Sequence, residues 1–250
     1  MASARTRRLK AIVLSRTKLA EQDSILTVVS ETGEQVQVVA KGARKSGGRL
    51  ASRCDLFCET DLLVARGRGQ LEIVSEASLI EPHTSLRADI ERMASASAVC
   101  EVVRLMCYED AHDSFLYPIC SRALYACEQA DSRAALDTVV AALTFKLLAH
   151  GGWWPELQRC VMCDDETPHL FSARLGGLVC EACSRDVEGA EAITPSQLAW
   201  MQAFMKMTFD ELLASYPDEQ TALCLVSMAH VWASTHLDAR LRSFEFLMSL

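Results

Sequence analysis

The sequence predicts an α+β multidomain chain. A small β-barrel spans residues 1–80, and an α-helical domain spans 81–250, with a four-cysteine module inserted at 158–190. Three observations carry this. Up to residue 80, apolar residues fall in short β-rich runs separated by turn signals. After Pro82 they recur at helical spacing. Cys160, Cys163, Cys180 and Cys183 form two C-x₂-C pairs with sixteen residues between them.

Five strands are expected, at about 9–15, 24–30, 34–41, 56–65 and 70–79. "RLKAIVLS" is the first. "SILTVVSETGEQVQVVAKG" holds the next two around a Thr32-Gly33 turn, and Val36, Val38 and Ala40 carry the period of a half-buried strand. "LFCETDLLVARGRGQLEIVSEASLI" holds the last two, with Arg66 to Gly69 as the turn. Five short antiparallel strands in some 80 residues suit a small closed barrel such as an OB-fold. An SH3-like barrel fits the same pattern.

The first helix follows Pro82, with Ile90, Met93, Ala94, Val99, Val102, Val103, Leu105 and Met106 on its apolar face and Thr84 or Ser85 as its cap. A second contains Pro118 in its first turns. A third starts at Asp131 or Ser132 and closes at Gly151-Gly152. After the cysteine segment, Thr194 caps another helix whose first residue is Pro195. A long helix around residues 218–238 and a short "RLRSFEFLMSL" complete the chain.

The cysteine spacing is that of a four-thiolate zinc site, each C-x₂-C turn aiming two sulfurs at one point. Four thiolates fill a tetrahedron and leave no place for water, so one structural Zn²⁺ is expected on Cys160, Cys163, Cys180 and Cys183. A thioredoxin-like motif needs one such pair on a βα unit, and an iron–sulfur cluster is the weaker alternative. Cys100 and Cys107, seven apart on an apolar helix face, have core spacing. Trp153-Trp154 reads as an anchor between helices and module.

Charge is unevenly spread. The chain carries a net −8, yet residues 1–80 hold 13 Lys+Arg against 9 Asp+Glu. "KGARKSGGRLASR" joins the third strand to the fourth and has five basic residues, no acidic ones and three glycines. It reads as a flexible basic loop that grips phosphates through Lys41, Arg44, Lys45, Arg49 and Arg53. Arg7, Arg8 and Lys10, with Arg5, Arg16 and Lys18, form a second basic set. Residues 1–80 contain a single aromatic, Phe57, so base stacking is scarce and binding should be electrostatic and indifferent to sequence. No phosphate loop, dinucleotide fingerprint, G-x-S-x-G or H-E-x-x-H occurs, which argues against an enzyme. No apolar run approaches the roughly 18 residues of a membrane span. The short "AIVL" run is no signal sequence, so a cytoplasmic protein without disulfides is expected.

Several stretches resemble the RecO family of bacterial recombination and repair mediators. They are "EQDSILTVVSETGEQVQVVAKGARK", "GRGQLEIVSEASLIEP", "LLAHGGWWPELQRCVMC", "GGLVCEAC" and "RLRSFEFL". The resemblance implies an N-terminal OB-fold and a helical domain with an embedded zinc module. It implies binding of single- and double-stranded DNA, annealing of complementary strands and association with the nucleoid. It also implies that the protein works with RecR and with the acidic tail of single-strand-binding protein to load recombinase onto coated gaps. Arg240 and Arg242, beside Leu241, Phe244, Phe246 and Leu247, are the candidates to meet that tail, although those apolar residues also suit a core. An RNA-binding barrel and a non-DNA interaction scaffold are the alternative functions.

Overall fold

The computed structural model describes residues 6–67 and 69–250; Arg5 of the basic arm and Arg68 of the expected turn lie outside the described residues. The chain forms two compact units, residues 1–128 and 129–250.

The first unit begins with β1 (Thr6–Lys18), β2 (Ser24–Ser30), β3 (Gln35–Ala40), β4 (Glu59–Arg66) and β5 (Glu72–Glu81). They pair in the order β1-β2-β3-β5-β4, and β4 returns to β1 to close a barrel. All pairings are antiparallel except β3 with β5, which is parallel and spans two residue pairs, Val38–Glu72 and Val39–Ile73. The alternation read from the sequence is the alternation of burial. Val36, Val38 and Ala40 are buried with Leu9, Ala11, Val13, Leu26, Val28, Leu62, Val64 and Val74, while Gln37 is exposed.

The strand pattern ends near residue 81, but the first compact unit continues through α1 (Ile90–Met106) and α2 (Leu116–Gln129) almost to the end of the latter. The compact unit thus extends past the strand-rich residues, because side chains and backbone of the following segments contact the barrel. Tyr117 Oη donates to Glu59 Oε2 at 3.0 Å, and Lys10 Nζ lies 5.3 Å from the centre of the Tyr117 ring. The segment leaving α1 is pinned to the β2–β3 turn, where Gln35 N–H donates to Tyr108 O and Cys107 Sγ donates to Gly33 O. The cap of α1 is Asp89, which accepts from Arg92 N–H; Thr84 lies instead in a 3₁₀ turn of residues 84–87.

His83 precedes that turn with a left-handed φ of 43° and is almost fully buried. Its Nδ1 lies 2.7 Å from Glu128 Oε2 and its Nε2 lies 3.9 Å from Glu59 Oε1. Burial disfavours the imidazolium, but the two flanking carboxylates outweigh it and raise the His83 pKa. Burial likewise opposes ionisation of Glu59, yet His83, Ser121 and Tyr117 together lower its pKa.

In the second unit, α3 (Arg133–His150) is buried along nearly its whole length, and it packs on α5 (Pro195–Phe204), α6 (Phe209–Ala214) and α7 (Glu219–Leu237). Ser132 caps α3, and Thr194 with Gln197 forms a capping box at α5, where Pro195 takes the first position. Trp232 of α7 stands at the aromatic centre, 5.5 Å from Phe145 and 5.1 Å from Phe171 between ring centres. Phe171 belongs to β6 (Leu170–Ser172), which pairs with β7 (Gly177–Val179) and β8 (Glu191–Ala192) in a small sheet. The aromatic stack therefore ties the cysteine module to the helices. The chain ends in α8 (Arg242–Leu247), held to the start of α3 by Arg133 Nη2 donating to Leu247 O.

Two outcomes are expected from the first unit. A methyl group on Gly33 would lie 1.8 Å from Asp113 O, at a φ of 83° that a side chain rarely tolerates. Gly33→Ala should therefore cost about 2 kcal/mol or more, read as a lower urea midpoint at unchanged slope. The His83 contribution is complete below the unfolded value of 6.5 and is lost as pH rises through its raised folded value. The Glu59 contribution is present above its ordinary value of 4.5 and is lost as pH falls. The brace should thus hold best between those two values, and thermal scans should show a loss toward alkaline pH that His83→Gln flattens.

Candidate functional sites: a four-cysteine clamp and a basic ridge

Cys160 and Cys163 lie in the turn that precedes the β6–β7 hairpin, and Cys180 and Cys183 lie at the start of α4 (Glu181–Ser184), which follows it. The hairpin folds the chain back and brings the pairs together, with all four sulfurs within 4.8 Å of one another. A tetrahedron with metal–sulfur bonds of ~2.3 Å separates its sulfurs by about 3.8 Å. The Cys163 and Cys180 sulfurs are 3.6 Å apart, so the arrangement fits a metal ion.

The electrostatics fit as well. Burial opposes ionisation of Cys160, but the N–H groups of Cys180, Met162 and Cys163 bring its thiol down to about 6. Cys183, crowded by the sulfurs of Cys163 and Cys180, is pushed up to about 12. Four thiols so close cannot all ionise alone, and a bound cation removes that conflict. The remaining cysteines are different. Cys54 is raised to about 12 and Cys127 is raised by burial, and Cys107, also buried, rises to about 12. His169 stands outside the sulfur cluster, on the surface, 3.3 Å from Glu181.

The basic segment between β3 and β4 is not the flexible loop that its glycines suggest. It winds through successive turns: Lys45 N–H donates to Gly42 O, Gly48 N–H to Lys45 O, Ala51 N–H to Gly48 O and Cys54 N–H to Leu50 O. Outside bonds hold it down. Gly42 N–H donates to Asp23 Oδ1 and Arg44 N–H to Gln22 O. Ala43 and Cys54 join the barrel core, with Leu50 packed against them. The segment is a plug with a basic outer ridge.

Spacing explains the ridge. Lys41, Lys45, Arg49 and Arg53 stand four residues apart, and all four line one groove of about 530 Å³ whose far wall is β5. A second groove of about 470 Å³, on the Arg16 and Arg44 side, shares Lys45 with the first. Lys41, Lys45 and Arg49 are exposed and have no ion pair among the described residues. Arg53 donates to Ala77 O and Arg44 to Ala20 O, which leaves their charge uncompensated.

The second basic set is used differently. Arg7 pairs with Glu72 and Glu34, Arg8 lies 3.8 Å from Asp61, and Lys10 is half-buried against Tyr117. Arg16 bonds Asp55 and Ser24. These cations serve the barrel; Lys18 of the same set is exposed and, like the ridge cations, has no ion pair among the described residues. At the other end of the chain, Arg240 makes a two-pronged bond to Glu245, and Arg242 is also engaged. Leu241, Phe244 and Leu247 are fully buried, and Phe246 remains 45% exposed. Of the tryptophan pair, Trp153 is half-buried near His236, whereas Trp154 is 66% exposed beside Met205 and Lys206. Sequence spacing gave no signal for the His83 cluster or for the groove along β5, because both are assembled from distant residues.

The first unit is a β-barrel with a basic ridge, and the second is a helical unit that carries a four-cysteine clamp. The family model described as recombination protein O N terminal matches residues 1–83, and the one described as recombination protein O C terminal matches residues 87–244. The chain belongs to the RecO family. It is 30% identical over 242 residues to the DNA repair protein RecO of Bifidobacterium longum subsp. infantis, covering 96% of this chain and 98% of that one. The protein of that name from Synechococcus elongatus is 30% identical over 258 residues, covering 98% and 96%. That from Roseiflexus is 34% identical over 183 residues, covering 72% of this chain and 63% of the relative. No helix among the described residues is long and apolar enough to cross a membrane.

If the clamp holds a metal ion that orders the module, stripping that ion at mildly acidic pH should release the backbone amides of residues 160–183 to exchange while β2 keeps its protection. Native hydrogen exchange checks this, and affinity for the ion should fall with pH as the thiolates take up protons.

Proposed function

We propose that this chain is a DNA repair and recombination mediator whose barrel, read as an OB-fold from its ring order, binds single- and double-stranded DNA. The observation that carries this is the ridge: Lys41, Lys45 and Arg49, exposed and without an ion pair among the described residues, line one groove together, and Lys45 also lines a second. Phosphates set along such a ridge replace counterions, and no base edge is read. Shielding of this kind lowers the repulsion between two strands, so complementary strands anneal without nucleotide hydrolysis. Arg44 and Arg53 extend the same surface; Arg7, Arg8 and Lys10 contribute to its field from within their pairs.

The ion in the clamp is read as one structural Zn²⁺ on Cys160, Cys163, Cys180 and Cys183, since four thiolates with no open position suit it. RecR and the acidic tail of single-strand-binding protein are the proposed protein partners in loading recombinase, in the cytoplasm at the nucleoid. A tail carboxylate that used Arg240 or Arg242 would have to displace Glu245 from Arg240. A role without catalysis accords with the absence of a nucleophile–base motif in the sequence.

The test is salt-dependent binding of labelled DNA. Replacing Lys41, Lys45 and Arg49 by Ala should weaken binding to all sequences alike. It should flatten the log–log salt slope by about 2–3 on duplex DNA, and by somewhat less on single strands. Arg7→Ala should change the slope by less than about one. An unchanged slope in the triple variant would remove the ridge from the binding surface.

A further inference from the structure

Trp154, in the second unit, is 66% exposed, and its indole has no hydrogen bond or ring contact among the described residues. A single exposed apolar residue is ordinary on a protein surface. What sets this one apart is how firmly its backbone is held. Trp153 N–H donates to Leu148 O, Pro155 is buried, and Glu156 N–H donates to Gly176 O. Leu178 N–H donates to Glu156 O, and Gln202 Nε2 donates to Leu157 O at 2.8 Å. The chain is thus fixed on both sides of Trp154. An aromatic ring presented in this way loses little freedom when something stacks on it.

The ring borders a cavity of about 360 Å³, to which Met205 adds apolar surface, Gln158 and Gln202 add amides, and Glu156 and Lys206 add opposite charges. Free positive charge is scarce in this unit, where residues 129–250 hold eight Lys+Arg against sixteen Asp+Glu. Arg133, Arg159 and Arg240 are paired with Asp137, Asp164 and Glu245, and Lys146 donates to Met207 O. Lys206 is exposed, and its side chain has no ion pair or hydrogen bond among the described residues. The same holds for Arg174, which stands in the β6–β7 turn. That turn is joined to the cavity wall by the bond from Glu156 N–H to Gly176 O.

We propose that this pocket takes an unpaired base of a DNA single strand, stacked on the Trp154 indole, with neighbouring phosphates on Lys206 and Arg174. The occupant follows from the groups present. A base brings a flat π-face for the indole and an edge of donors and acceptors for the Gln158 and Gln202 amides. An acidic peptide would bring a run of carboxylates to Glu156, which has no ion pair among the described residues. Duplex DNA keeps its bases stacked on one another and offers none without the cost of flipping it out. The ridge meets phosphates, which single and double strands both carry, whereas the pocket adds affinity for single strands alone. The inference rests on the reading of this chain as a DNA-binding protein, and not on the ridge as the place of contact.

The test uses the full chain and fluorescein-labelled DNA of one length in three forms, read by anisotropy: a mixed-sequence single strand, a strand of abasic residues, and a duplex. The wild type should bind the plain strand about tenfold more tightly than the abasic one, within what stacking of a base on an aromatic ring supplies. Trp154→Ala should remove that difference and leave the abasic strand and the duplex unchanged, while Trp154→Phe, which keeps a π-face, should retain most of it. Equal binding of plain and abasic strands by the wild type would overturn the proposal, and this comparison needs no variant. An equal loss on all three ligands in Trp154→Ala would overturn it too, reducing Trp154 to a packing role. A labelled decapeptide of Asp and Phe covers the other occupant: if it binds the wild type and Trp154→Ala abolishes that binding, the pocket belongs to a peptide and the proposal fails. Binding of the duplex and the abasic strand reports on the phosphate contacts, so failure of the ridge reading would appear there and not in the ratio of plain to abasic strand. A wild type that bound none of the three would overturn the DNA-binding reading and this proposal with it.

Discussion

The barrel closes through two residue pairs, Val38–Glu72 and Val39–Ile73, and much of the first unit depends on how short that seam is. Beyond it, β3 and β5 diverge, and the space between them has to be filled by something other than a strand. The connection from β3 to β4 fills it. Ala43, Leu50 and Cys54 turn inward to the barrel core, which leaves Lys41, Lys45, Arg49 and Arg53 turned outward over β5. A seam of full length would have left no room for this segment, and the same constraint produces both the plug and the ridge above it.

Local patterns were readable in the sequence where the physics that fixes them is local. The β2–β3 hairpin, the caps at Ser132 and Thr194 and the two cysteine pairs each depend on residues within a few positions of one another or on a fixed spacing. The four-residue spacing of the ridge was equally visible, but three glycines and a high charge pointed to mobility. Bonds from Asp23 and Gln22, some twenty residues away, turn that stretch into ordered turns, and no local pattern carries them. Arg7 and Lys41 look alike as letters. They differ because Glu72 reaches Arg7 across 65 positions and no comparable carboxylate reaches Lys41 among the described residues.

The division of the chain shows the same limit. Helical periodicity in α1 and α2 says that these segments bury one face, and it does not say against what. Contact with the barrel is made by Tyr117, Cys107 and the 108–113 segment on the β2–β3 turn, where Gly33 leaves room for Asp113. The boundary between family models falls at residues 83–87, close to where strands give way to helices, while the compact unit reaches residue 128. Both statements hold: one marks a change of secondary structure, the other the extent of packing.

Cysteine chemistry divides along a related line, between sulfurs met by donors and sulfurs met by carbon. Cys54, Cys107 and Cys127 are buried, and desolvation above all, with nearby negative groups adding to it, keeps them as inert thiols. Cys160 is as buried as they are, yet three backbone N–H groups converge on it and favour the thiolate. Two of those N–H groups, from Met162 and Cys163, belong to the turn of the first C-x₂-C pair, and the third, from Cys180, comes from the second pair across the hairpin. Burial by itself therefore does not separate a ligand from a core residue in this chain. What separates them is where the backbone donors point, and the hairpin between β6 and β7 brings both the second pair of sulfurs and the Cys180 N–H to the first pair.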